Sequence, residues 1–202
     1  MTTASTDSTG SAGSAAVDAP TIKVLGICGS LREKSYNRML LRAAQEELPA
    51  GMTLAVRDLH DIPLYNDDLL LPTPPAAVQA LRADIAAADA LIISAPEYNY
   101  SISGVLKNAI DWVSRPPSPP LDGKPLALMG ASPGLLGTVR GQMATRQVCI
   151  FTNMIPMNKP EMLVAKAHEK FDVEGRLTDA ETRHKLRTFM TAFGLWVARV
   201  GT

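Results

Sequence analysis

Two short stretches concentrate the side chains able to hold a ligand. The first reads Gly29-Ser30-Leu31-Arg32-Glu33-Lys34-Ser35-Tyr36-Asn37. Ser30, Ser35 and Asn37 bring short hydrogen-bonding groups, and Arg32 brings charge. The stretch follows an apolar run and precedes a helical pattern. It therefore sits at a helix N-terminus, where unpaired N–H groups and the helix dipole favour an anion. A phosphate monoester suits such a cradle, although Ser35 also reads as a plain helix cap with solvated neighbours. The spacing is neither G-x-G-x-x-G nor G-x-x-x-x-G-K-[ST], so neither a dinucleotide pyrophosphate nor a nucleoside triphosphate is indicated. The second stretch reads Pro96-Glu97-Tyr98-Asn99-Tyr100-Ser101-Ile102-Ser103-Gly104. Its Pro, Asn, Ser and Gly are turn formers. It also holds two of the four tyrosines of a chain that is only 5% aromatic. Rings beside a carboxylate and an amide suit a flat heteroaromatic ligand.

The elements around these stretches alternate. Ile22, Val24, Leu25 and Ile27 form a nearly continuous apolar run ending at Cys28, as in a strand buried on both faces. Met39, Leu40, Ala43, Ala44 and Leu48 follow at helical spacing. Leu54 and Val56 mark a second strand. Thr73-Pro74 predicts the start of a helix with Val78, Leu81 and Ile85 inward. Ala90 to Ser94 is a third strand, residues 105–113 a helix, and Pro125 to Ala131 a fourth strand. A helix from about Thr138 to Ile150 comes next. An interrupted fifth strand lies near residues 154–164. Thr178, with Glu181 three residues on, predicts the cap of a last helix lined by Leu186, Met190, Phe193 and Val197. Five buried strands alternating with helices give a three-layer α/β domain with a parallel sheet. The common order 2-1-3-4-5 opens its ligand crevice at the carboxyl ends of strands 1 and 3, where the two unusual stretches begin. A phosphate at one turn and a flat ring at the next fits a mononucleotide such as FMN.

Composition narrows the class. Residues 1–20 are low-complexity and read as a disordered tail, with residues 21–202 as one domain. Lys+Arg and Asp+Glu both number 20, so the basic excess expected of a nucleic-acid binder is missing. Two cysteines make no disulfide scaffold, and no apolar run approaches the roughly 18 residues of a spanning helix. No signal or transit pattern is present. The expectation is a cytoplasmic protein with no membrane or nucleic-acid partner.

Longer motifs carry a resemblance. Gly29-Ser30-Leu31-Arg32 with Ser35 and Asn37, Pro96-Glu97-Tyr98-Asn99, Leu106-Lys107-Asn108-Ala109-Ile110-Asp111-Trp112 before Ser114-Arg115-Pro116, Gly123-Lys124-Pro125, Pro160-Glu161 and Phe171-Asp172 ahead of Gly175 occur in that order. On these the chain resembles the NADPH-dependent FMN reductase family, chromate and quinone reductase branch, over about residues 22–197. The resemblance implies a flavodoxin-like fold. It implies that Ser30, Arg32, Ser35 and Asn37 hold the FMN phosphate. Pro96, Glu97, Tyr98 and Asn99 then contact the ring and ribityl chain, with Ser132 at the ring edge. It further implies hydride transfer from NADPH or NADH, carried by FMN without a protein catalytic residue or metal. Quinones are the foremost acceptors, with chromate, azo compounds and free flavin beside them. The alternative is a flavodoxin-like electron carrier with no NAD(P)H oxidase activity of its own. Relatives of this kind form dimers or tetramers, so a homodimer or homotetramer is expected. Arg115, Arg140 and Glu161 match subunit-contact positions. The chain departs from the pattern at Ser103, where Pro is usual, at Cys28, where a small Ser is common, and at Pro133.

Three further readings concern single side chains. The helix 105–113 is apolar over more than one face needs; core packing explains part of that surface, and a dimer contact with Trp112 as anchor explains the remainder. Cys28 reads as a small buried filler rather than a nucleophile. His60, His168 and His184 have no metal-ligand spacing.

Overall fold

The computed structural model describes Met1 and residues 21–201. The expected tail, 1–20, lies outside the described residues but for Met1. The strands are β1 (Ile22–Cys28), β2 (Met52–Arg57), β3 (Ala90–Ser94), β4 (Glu97–Tyr98), β5 (Ser101–Ile102), β6 (Pro125–Ala131), β7 (Ile155–Pro156) and β8 (Met162–Val164). The helices are α1 (Tyr36–Glu46), α2 (Ala76–Ala87), α3 (Gly104–Val113), α4 (Val139–Thr152) and α5 (Ala180–Val200).

The main sheet is parallel and runs β2-β1-β3-β6, with β7 and β8 both pairing with β6. Counting β7 and β8 as one broken strand, this is the expected order 2-1-3-4-5. β3 and β6 are buried throughout, as strands covered on both faces must be. Alternation divides the core. Ala90 and Ile92 face α1 and α5 with Leu40, Leu41, Phe189 and Phe193. Leu91 and Ile93 face α2, α3 and α4 with Leu81, Ile85, Leu106, Ile110 and Cys149. β2 is the edge, and its outer residues are exposed.

Two helix starts differ from expectation. α2 begins at Ala76 after a cap position at Pro75, not at Thr73-Pro74. A residue that precedes proline is kept out of the helical region, so consecutive prolines delay the helix. α5 is capped by Asp179, whose Oδ1 accepts from Thr182 N at 2.8 Å. Thr178 instead donates its hydroxyl to Lys170 O at 3.2 Å.

Trp112 also differs from expectation. It is fully buried within its own chain, and Nε1 donates to Pro63 O at 2.8 Å. Asn108 Nδ2 donates to the same carbonyl at 2.8 Å, and Asn108 Oδ1 accepts from Tyr65 N at 2.7 Å. The Tyr65 ring packs edge-on against Trp112 with centroids 4.9 Å apart. The surplus apolar surface of α3 is thus covered by the segment 63–65, and Trp112 does not anchor a dimer.

Candidate functional site

The carboxyl ends of β1, β3 and β6 lead into three turns that meet in one narrow cleft. Ser30, Arg32, Ser35, Tyr36 and Asn37 line it from the first turn, Pro96, Glu97 and Tyr98 from the second, and Ala131, Ser132 and Pro133 from the third. Eight of the nine residues singled out in the sequence therefore converge. The ninth, Asn99, does not line the cleft. It sits with Tyr100 in the two-residue turn of the β4–β5 hairpin, both at positive φ (50° and 66°). That is the twist-matched geometry of a tight hairpin.

The first turn ends in a capped helix. Ser35 Oγ accepts from Asn37 N at 3.2 Å. Tyr36 and Arg38, in the same first turn, have no carbonyl partner within α1. Ser30 is buried; its Oγ accepts from Arg32 N at 3.3 Å and donates to nothing among the described residues. Buried hydroxyls, free N–H groups, a helix dipole and the exposed Arg32 form a donor set for an anion.

Asn37 has a different job from its neighbours. Its amide is buried and pairs with both backbone groups of Ala131, 94 residues away: Nδ2 donates to the carbonyl at 3.0 Å, and Oδ1 accepts from the N–H at 3.0 Å. Oδ1 also accepts from Ser94 Oγ at 3.1 Å. One side chain thus locks the start of α1 to the ends of β3 and β6. A single Nδ2 hydrogen is left for a ligand. Ser94 was not singled out in the sequence, although a serine closing a fully apolar strand is a usable signal.

Glu97 is committed in another direction. Oε2 accepts from Arg140 N at 2.9 Å and Gly141 N at 3.1 Å, and Arg140 Nη1 lies 3.3 Å from Oε1. Thr138, at the cap position of α4, makes no side-chain cap bond. The carboxylate from the hairpin takes over that cap and meets the positive end of the helix dipole. The absence of a side chain at Gly141 permits the approach, since a Cβ would stand 3.1 Å from Pro96 O. The Arg140 guanidinium then stacks on Tyr100, 3.7 Å from the ring centroid. In the hairpin Tyr98 and Ser101 close the two-residue turn and Glu97 faces Ile102. Tyr98 and Ser101 are therefore the hydrogen-bonded pair, and the Glu97 N–H points away from its partner strand.

The three departures noted in the sequence are accommodated. Ser103 caps α3 by accepting from Leu106 N at 3.3 Å, and its hydroxyl donates to Gly29 O at 2.7 Å, tying the first turn to the helix. Cys28 is fully buried, its Sγ donates to Ser30 O at 3.4 Å, and burial pushes its thiol pKa up. Ser132 Oγ accepts from Gly134 N at 3.1 Å across Pro133. Of the residues expected at a subunit contact, Arg115 donates Nε to Asp111 O at 3.0 Å, and Arg140 is bound as above. A larger groove lies elsewhere among the described residues, beside Leu71, Pro72, Pro116 and Pro117. Its one base, Arg82, is occupied by the carbonyls of Val113, Arg115, Pro117 and Ser118.

Comparison with known proteins bears on the fold and the family. Residues 22–169 match the family model of NADPH-dependent FMN reductases. An NAD(P)H-dependent FMN reductase of Pseudomonas aeruginosa is 49% identical over 179 residues, covering 89% of this chain and 97% of that protein. A quinone reductase of Escherichia coli is 41% identical over 182 residues, covering 89% and 97%. Among solved structures, the flavoenzyme NAD(P)H:(acceptor) oxidoreductase of Paracoccus denitrificans superimposes with a TM-score of 0.80 at 34% identity. It covers 89% of this chain and 99% of its own.

Proposed function

The chain belongs to the NADPH-dependent FMN reductase family, and on that footing we propose that it binds FMN in the three-turn cleft and passes electrons from NADPH or NADH to small-molecule acceptors. Quinones are the foremost acceptors; chromate, azo compounds and free flavin are secondary. The observation that carries the reading is the meeting of an anion-binding helix start with a hairpin edge at the carboxyl ends of β1 and β3. The donor set fits the group: among the described residues the buried Ser30 hydroxyl donates to no acceptor, and it stands beside the N–H groups of the α1 N-terminus.

FMN, when bound, supplies hydride acceptance from the nicotinamide and electron delivery to the acceptor. The residues hold and orient it. Ser30, Arg32, Ser35 and the first-turn N–H groups of α1 take the phosphate. Asn37 keeps that turn in register with β6 and offers its last hydrogen. Pro96, Tyr98 and Ser132 border the ring and ribityl chain, and Asn99 shapes the hairpin turn beside them. The Glu97 carboxylate fixes the hairpin to α4, which leaves its outward N–H to favour negative charge on the ring. Residues 21–202 act as one flavodoxin-like FMN-binding domain. Exposed Met143, Ile150 and Phe151 on the outer face of α4 support a homodimer or homotetramer. Among the described residues no helix is long and apolar enough to cross a membrane, and the location proposed is the cytoplasm.

The test is steady-state oxidation of NADPH by the FMN-loaded chain with a benzoquinone and no other protein. Sustained turnover is expected. FMN binding without turnover would favour the electron carrier, and failure to bind FMN would overturn the reading.

A further inference from the structure

A second groove, of about 550 Å³, runs beside the cleft. That is within the ~300–1,000 Å³ of small-molecule sites. It shares Arg32 and Tyr36 with the cleft, so it opens where the anion-holding turn ends. Lys34 and His168 stand on its rim, both exposed. His168 Nε2 lies 3.5 Å from Glu169 Oε1, outside the groove lining. Asp172 is the one acid in that lining, and it is already engaged. Its Oδ1 accepts from Glu174 N at 3.1 Å and Arg176 N at 2.8 Å, and its Oδ2 from Arg176 Nε at 2.7 Å. With Arg32 given to the neighbouring turn, the positive charge of Lys34 is therefore not cancelled from within the groove.

The far wall is built in advance. Phe171 bridges to Leu177, and the Asp172 bonds hold the turn between them. Gly175, at φ +80°, lets that turn lie on Met39; a Cβ there would stand 3.1 Å from Met39 Cγ. Phe171 in turn packs on Tyr36 with ring centroids 5.9 Å apart. The turn thus carries Val173, 92% exposed, at the edge of the groove. A rigid apolar and aromatic wall opposite uncancelled positive charge suits a flat base joined to a phosphate, with little ordering cost on binding.

We propose that this groove is a second subsite, which holds the adenosine phosphate arm of a dinucleotide. Tyr36, Met39 and Val173 meet the base, and Lys34 and His168 meet the phosphate. The proposal rests on the assignment of the flavin phosphate to the neighbouring turn. Two molecules present this arm: the pyridine dinucleotide reductant, and FAD in place of FMN.

The test uses the full chain and two variants, K34A/H168A and Val173→Asp. Affinities for FMN and FAD are read by flavin fluorescence quenching, and those of the FMN-loaded protein for NADP+ and NAD+ by calorimetry. FMN affinity is expected to stay within about twofold in both variants. NADP+ weakened by about tenfold or more, and more than NAD+ in K34A/H168A, identifies the reductant's arm. FAD weakened by about tenfold or more, with FMN unchanged, identifies the flavin's. All affinities within about twofold of wild type, or a wild-type chain that binds neither NADP+ nor FAD, overturn the subsite. A wild-type chain that fails to bind FMN would instead overturn the preceding reading.

Discussion

Asn37 offers the sharpest perturbation of the site. Asn37→Ala strips partners from three buried groups: the N–H and carbonyl of Ala131, and the Ser94 hydroxyl. An unsatisfied buried group costs about 1–3 kcal/mol. A water admitted to the space would recover part of that, so we expect a net loss of about 3 kcal/mol. With a urea m-value of about 2 kcal/mol/M, the midpoint falls by about 1.5 M at unchanged m. Asn37→Asp separates accepting from donating. The carboxylate still accepts from Ala131 N and Ser94 Oγ, but it faces the Ala131 carbonyl with no proton to give. At pH 7 the Asp variant should be less stable than the Ala variant. Burial and the facing carbonyl raise the folded-state pKa of the new acid. The penalty is therefore present above that pKa and recedes as pH falls through it, when the protonated acid can donate again. Urea melts at several pH values, followed by tryptophan fluorescence, read both effects. A midpoint shift under about 0.5 M for Asn37→Ala, or an Asp variant as stable as wild type at pH 7, would refute the clamp.

Other outcomes follow from the same structure. Glu97→Gln keeps an acceptor for the α4 N–H groups but loses the charge, so it should cost less than Glu97→Ala, which should lose about 1–2 kcal/mol; equal melting temperatures for the two variants would contradict the cap. Hydrogen bonds from Thr182 and Lys170 hold the Asp179 carboxyl down to about 2. Its contribution is therefore full above the unfolded pKa near 4 and is lost as pH falls toward 2. Asp179→Asn should lower stability at neutral pH and flatten the acid limb of the stability curve; an unchanged acid limb would contradict this. Burial pushes the Cys149 thiol up to about 11 and raises that of Cys28. Both should resist a disulfide reagent at about pH 8 until denaturant is added, and fast labelling of the folded chain would refute their burial.

The layered fold was legible because the strands are apolar without interruption: Ala90-Leu91-Ile92-Ile93 admits few readings other than a strand covered on both faces. That the two turns would meet was legible because the chain places its unusual residues directly after such strands. What escaped depends on partners remote in sequence. The Glu97 carboxylate finds its helix 43 residues on, and the Asn37 amide finds its strand 94 residues on, distances no local pattern encodes. Trp112 reads as an outward anchor because α3 is apolar nearly all round, and the segment that covers it, Pro63 to Tyr65, has no strong pattern of its own. Thr178 and Asp179 are both good caps; the choice went to Asp179 because Lys170 and Thr182 surround its carboxylate.

The central claim is that two neighbouring turns hold FMN, one by its phosphate and one by its ring. A crystal of the chain grown or soaked with FMN tests it most directly. The account predicts the phosphate within about 3.2 Å of Ser30, Ser35 and the first N–H groups of α1, with the ring along Pro96 to Tyr98. Electron density for the flavin at any other place on the chain, or none at all in crystals saturated with it, would contradict the account.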